Sequence, residues 1–202
     1  MPSALRPALV LLMFVTLLSG CSSAPDPGLR VAPTASAPEQ AEKSQESVTS
    51  TAPEERAAPA EVAVPSLGIA SSLMELGLNT DGTVEVPPAE KGMTAGWYTG
   101  GAVPGEVGAA VVIGHNDTRF GKAVFHDLKK ITKGADITVT DASGDAAHFT
   151  VTDTESVGKN AFPTEKVYGP TQDRALRLIT CDGDFDAQGH PVNNLIVYAT
   201  LS

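Results

Sequence analysis

From residue 62 to the C-terminus the apolar side chains come in short, β-branched runs, each closed off by turn residues. This pattern, more than any other, limits what the chain can become. The runs are residues 64–70, 83–86, 109–114, 136–140, 147–152, 176–180 and 194–201. Between them stand Asp81-Gly82, Pro87-Pro88, Gly100-Gly101, Pro104-Gly105 and Ser143-Gly144, pairs that favour tight turns. Many short strands at such spacing predict a mainly all-β barrel or sandwich rather than an alternating α/β chain. Helix is scarce. The best candidate is 123–132, where Val124, Leu128 and Ile131 recur at helical spacing, and 71–78 offers one or two further turns. There is no internal repeat. About 140 residues suffice for one domain with its own core.

The first sixty residues read differently. Residues 1–21 carry Arg6 and then a short apolar stretch of about 11 residues, where a membrane span needs roughly 20. That fits a cleavable signal peptide. Its end, Leu18-Ser19-Gly20-Cys21, resembles a bacterial lipobox, which makes Cys21 the expected lipidation site. The expected location is therefore outside the cell, at the outer face of the cytoplasmic membrane, held there by a lipid anchor. Residues 22–61 are rich in Ser, Ala, Pro, Thr and Glu and poor in large apolar side chains. Such a segment cannot offset its ordering entropy by burial and is expected to be a disordered, semi-stiff linker. The formal charge of −10 speaks against nucleic acid as a partner, and against an anionic membrane surface.

With Cys21 assigned to lipidation, Cys181 is the one cysteine left, so an intrachain disulfide is excluded. It ends the run Leu178-Ile179-Thr180-Cys181 and precedes an acidic, Gly-containing segment. A cysteine so placed is either a buried small hydrophobe or a nucleophile. His115, in Gly114-His115-Asn116-Asp117, also leaves a β-branched run and can serve as a general base or sit at the surface. His126 falls in the expected helix, His148 in a strand pattern and His190 in a loop. None has the i, i+4 spacing that a zinc site favours. No cofactor or resident metal is expected.

Several pieces, in order along the domain, resemble the sortases, and most closely the class F group of actinobacteria. They are Asn79-Thr80-Asp81-Gly82, Gly96-Trp97-Tyr98, Pro104-Gly105-Glu106-Val107-Gly108, Val112-Ile113-Gly114-His115 and Ala123-Val124-Phe125. Further on come Phe162-Pro163-Thr164, Val167-Tyr168-Gly169, Leu178-Ile179-Thr180-Cys181 and the run from Asn194 to Ala199. The resemblance implies a closed eight-stranded β-barrel with one or two short helices over 62–202. It implies His115 as proton donor and acceptor, Cys181 as acyl-thioester nucleophile, and Thr180 beside it lining the substrate groove. The implied substrate is an LPXTG-like sorting signal cut at its Thr–Gly bond. The acyl group then passes to an amine of a peptidoglycan precursor, or slowly to water.

Sortases also use an arginine near the start of the last strand to hold substrate and oxyanion. Here that stretch reads His190-Pro191-Val192-Asn193-Asn194, without arginine. Arg177 shares a strand face with Cys181 but stands roughly 13 Å away along the strand. Arg119, in the loop after His115, is the preferred substitute, with Asn193 or Asn194 as uncharged amide donors. A second departure is Asp182-Gly183-Asp184-Phe185-Asp186, whose carboxylates oppose thiolate formation. Their spacing partly resembles a calcium loop but has Ala187 and Asn193 where that loop needs Gly and Glu. The alternative function is a degenerate lipoprotein of the same fold that binds surface peptides or proteins without turnover. An L,D-transpeptidase would carry a histidine beside the thiol, and a papain-like hydrolase would place Cys before His. Neither matches.

Overall fold

The computed structural model describes residues 56–189 and 191–202. The lipobox, most of the linker and His190 lie outside the described residues. Ten strands form: β1 Pro59–Val64, β2 Ile69–Leu76, β3 Ala95–Tyr98, β4 Gly108–Ile113, β5 Asp117–Thr118, β6 Gly121–Lys122, β7 Asp136–Asp141, β8 Ala146–Gly158, β9 Arg174–Phe185 and β10 Pro191–Leu201. Eight of them close into a barrel in the order β1-β2-β3-β4-β9-β10-β8-β7, and β5 and β6 make a separate small hairpin. The expected all-β class and closed eight-stranded barrel are what the chain adopts. β1 begins at Pro59, inside the stretch assigned to the linker.

Two pairings are parallel, β2 with β3 and β4 with β9. They explain the continuous apolar runs in β4 and β9, because strands covered on both faces need no polar alternation. Alternate residues of β4, β9 and β10 divide between two clusters. Val112, Leu176, Leu178, Leu195 and Val197 enter the barrel core with Phe125, Ile137 and Phe149. Val111, Ile113, Ile179, Ile196 and Tyr198 join a second cluster with Leu76 and Val167. By strand alternation this second cluster lies on the barrel's outer face. It is covered by the five-residue helix α1, Thr164–Tyr168, and by Phe162 and Val84.

Residues 123–132 are not an α-helix. Val124, Leu128 and Ile131 are buried as their spacing suggests. However, the amides of Ala123, Val124 and Phe125 donate to the carbonyls of Asn116, Gly92 and His115 at 2.9–3.0 Å. Those long-range bonds fix the path of the chain, and the following amides of His126, Leu128, Lys130 and Ile131 close i→i−3 turns in place of an α-helix. Residues 71–78 are mostly strand, not helical turns, because β3 supplies a parallel partner for Leu73 to Leu76. Residues 83–86 hold only one bridge, Leu78 to Val84, rather than a full strand. The helix that does form, α1, falls where none was expected.

Candidate active site

The β4–β9 register runs through Ile113 opposite Ile179, and the Gly114 amide extends it by donating to the Ile179 carbonyl at 3.0 Å. Two residues beyond that last pair come His115, just past the end of β4, and Cys181, still within β9. Equivalent positions on neighbouring strands lie about 5 Å apart across the backbone. Both side chains are half-buried and line one cavity of about 750 Å³. Gly114 makes the approach possible. A Cβ there would sit 2.5 Å from Phe125 Cδ2 and 2.8 Å from Val124 Cγ1, so only glycine lets the strand exit pass over the core.

The cavity's base is Ile113 and Ile179 of the outer cluster. One wall comes from the extended segment between β2 and β3, through Leu78, Val84 and Val86. The opposite wall comes from Phe162, Thr164 and Tyr168 around α1. Tyr168 meets Tyr98 edge-on with ring centroids 5.8 Å apart. Burial, and then the neighbouring Tyr98, push the Tyr168 phenol up to about 12, so it stays neutral at any physiological pH.

His115 Nε2 lies 2.6 Å from the Pro87 carbonyl oxygen. A carbonyl only accepts, so Nε2 carries the hydrogen and Nδ1 is the nitrogen left to exchange a proton. The sequence marks Pro87-Pro88 as a turn. It carries no sign that this carbonyl would orient the histidine, since a backbone oxygen has no residue signature.

Asn194 is the direct cross-strand partner of Cys181 in the β9–β10 ladder and lines the same cavity. Asn193 points the other way, its Nδ2 donating to Ser156 Oγ at 3.5 Å. Thr180 contributes to the cavity wall, but its Oγ1 is buried without a hydrogen-bond partner and offers nothing to a ligand. Arg119 is not brought to the site. It sits in the β5–β6 hairpin, exposed, paired with Glu90 and lying over the Phe120 ring. Its loop lies against residues 89–94 rather than across the cavity, and Arg119 pairs with Glu90 there. Arg177 is half-buried against the Tyr198 ring with its Nη1 on the Leu176 carbonyl, and burial lowers its guanidinium's proton affinity. Arg174 and Arg56 bond the carbonyls of Gly105 and Pro104. The cation that does line the cavity is Lys159, which sequence reasoning missed.

The acidic segment is strand rather than loop, since β9 continues through Phe185. Between the pairs Asn193–Asp182 and Pro191–Phe185 the register shifts, and Gly183 takes a φ of 80° at this bulge. Asp182 Oδ2 accepts from Ser156 Oγ at 2.7 Å, on the face opposite Cys181, so the nearest carboxylate is turned away from the thiol. Among the described residues no group of three or more His, Cys, Asp or Glu side chains converges in a way that would hold a metal ion. Also among them, no helix is long and apolar enough to cross a membrane.

Residues 62–202 match the family model of the sortase domain. Similar solved structures include sortase C-1 from Actinomyces oris, 20% identical over 71% of this chain and 72% of that one, with a TM-score of 0.56. A lid mutant of sortase A from Corynebacterium diphtheriae is 20% identical over 73% and 72%, TM-score 0.56. Sortase A from Listeria monocytogenes is 24% identical over 73% and 88%, TM-score 0.55. No curated protein sequence gives a significant match. With a family model matching residues 62–202, well over half of the chain, the chain belongs to the sortase family.

Proposed function

We propose that the protein is a cysteine transpeptidase of the class F type, acting on an LPXTG-like sorting signal outside the cell. The observation that carries this reading is that His115 and Cys181, each two residues past the last β4–β9 pair, line one largely apolar cavity. The Cys181 thiolate attacks the Thr–Gly carbonyl carbon and forms a C–S bond, while the electron pair moves onto oxygen. The tetrahedral species collapses, the C–N bond breaks, and His115 gives its Nδ1 proton to the departing amine. An acceptor amine of a peptidoglycan precursor then loses a proton to His115 and displaces the thiolate; water does the same more slowly. Pro87 keeps the imidazole in the orientation this exchange requires. Lipidation of Cys21 would hold the domain at the outer face of the cytoplasmic membrane, within reach of the wall.

The test is incubation of the purified protein with LPXTG-type peptides and mass analysis for an acyl adduct on Cys181, alongside Cys181→Ala and His115→Ala. An adduct absent from the wild type under all conditions, with no peptide cleaved, rejects turnover. One observation favours a second reading, peptide binding without turnover: no arginine lines the cavity. That reading expects saturable peptide binding with the thiol left free. Anchoring is checked separately by fatty-acid labelling, which Cys21→Ala should remove.

A further inference from the structure

Acyl transfer to Cys181 places negative charge on the peptide's carbonyl oxygen in a half-open groove lined by Leu78, Val86, Ile113, Phe162 and Ile179. In such surroundings a fixed donor or cation acts more strongly than in water, and its absence costs rate. Besides His115 and Thr180, the polar side chains lining the cavity include Asn194, opposite Cys181, with Thr83, Tyr98, Thr164 and Tyr168, none of them a cation. His115 has Nε2 directed at Pro87 and needs Nδ1 for the proton. Thr180 Oγ1 is buried on the barrel side. Arg119 and Arg177 are engaged with Glu90 and Tyr198.

Lys159 stands apart. It is the one lysine or arginine among the cavity's lining residues, it is exposed, and it joins none of the ion pairs found among the described residues. It directly follows Gly158, the last residue of β8, whose register partner is Asn193, next to the Asn194 that faces Cys181. Two strand spacings, about 10 Å, separate the β8 and β9 backbones. A lysine's four-carbon stem spans a large part of that.

We propose that Lys159 is the cation that holds the acyl oxygen while the C–S bond forms and the C–N bond breaks. The inference rests on the acyl-transfer reading given above. The experiment compares wild type, Lys159→Met and Lys159→Arg in two reactions read on the Cys181 peptide: acylation by an LPXTG-type peptide, and alkylation by anionic iodoacetate against neutral iodoacetamide. The methionine variant is expected to lose about 100-fold in kcat/KM, the size of one lost oxyanion donor, chiefly through kcat. The arginine variant should recover much of it. The iodoacetate-to-iodoacetamide rate ratio should fall severalfold in Lys159→Met and return in Lys159→Arg, because that ratio senses positive charge at the thiol. Wild-type acylation with an unaffected Lys159→Met variant overturns the role of Lys159 alone. A loss of acylation with an unchanged alkylation ratio also overturns it, as a structural effect. A wild type that alkylates but never acylates overturns the acyl-transfer reading and this proposal with it.

Discussion

Asn194 stands directly opposite Cys181 in the β9–β10 ladder, so an uncharged amide is the cross-strand neighbour of this thiol. Directly paired residues have Cβ atoms about 5 Å apart. The side chain at 194 therefore sets the local field at the thiol. Replacing it by Asp puts a carboxylate there and opposes thiolate formation. Iodoacetamide alkylation of Cys181 at neutral pH is expected to slow by about tenfold in Asn194→Asp and to change little in Asn194→Ala. Equal rates in the two variants would show that the 194 side chain does not face the thiol.

The hydrogen bond to Pro87 fixes the tautomer of His115. Nitrogen-15 NMR should show the neutral imidazole with its hydrogen on Nε2. A neutral form with hydrogen on Nδ1 would contradict the geometry.

Arg119 is paired on another surface of the protein, and exposed ion pairs contribute at most about 1 kcal/mol. Arg119→Ala is expected to acylate at the wild-type rate within about twofold and to unfold at nearly the same denaturant concentration. A large loss of acylation would bring this arginine back into the site.

Gly114→Ala forces a methyl group into Phe125 and Val124. Overpacking of this kind costs about 1–3 kcal/mol, seen as a lower denaturation midpoint in urea. Because His115 follows immediately, the acylation rate should fall as well. An unchanged midpoint would mean that the strand exit is looser than described.

Tyr168 is held neutral by burial up to about pH 12, whereas an unfolded tyrosine ionises near 10. Between those values the unfolded chain releases a proton that the folded one keeps, so this residue's contribution to stability is present below pH 10 and declines toward pH 12. The melting temperature of the wild type should drop more steeply over that window than that of Tyr168→Phe. Parallel curves would show that the phenol is not desolvated.

The sequence by itself determined the strand-rich class and singled out Cys181 and His115 as the candidate pair; it set the domain's start at residue 62, three residues after β1 begins at Pro59. Those features are local or compositional: β-branched runs, turn pairs, a cysteine without a partner, and a histidine at a strand exit. Continuous apolar runs at 109–114 and 176–180 even foreshadowed strands covered on both faces. The helix at 123–132 failed for an equally physical reason. Its apolar spacing predicts a helix, but the chain path is set by bonds to Gly92, His115 and Asn116, partners that only the closed barrel brings near, and the segment closes i→i−3 turns. Tertiary structure alone decided the rest of the site. Register set Asn194, rather than Asn193, opposite Cys181, because adjacent residues of a strand face opposite sides. Chain path delivered Lys159 to the cavity and kept Arg119 from it. It also brought the Pro87 carbonyl to His115 across 28 positions of sequence. Contacts between distant segments leave no periodicity or motif behind, so they become legible only when the barrel closes.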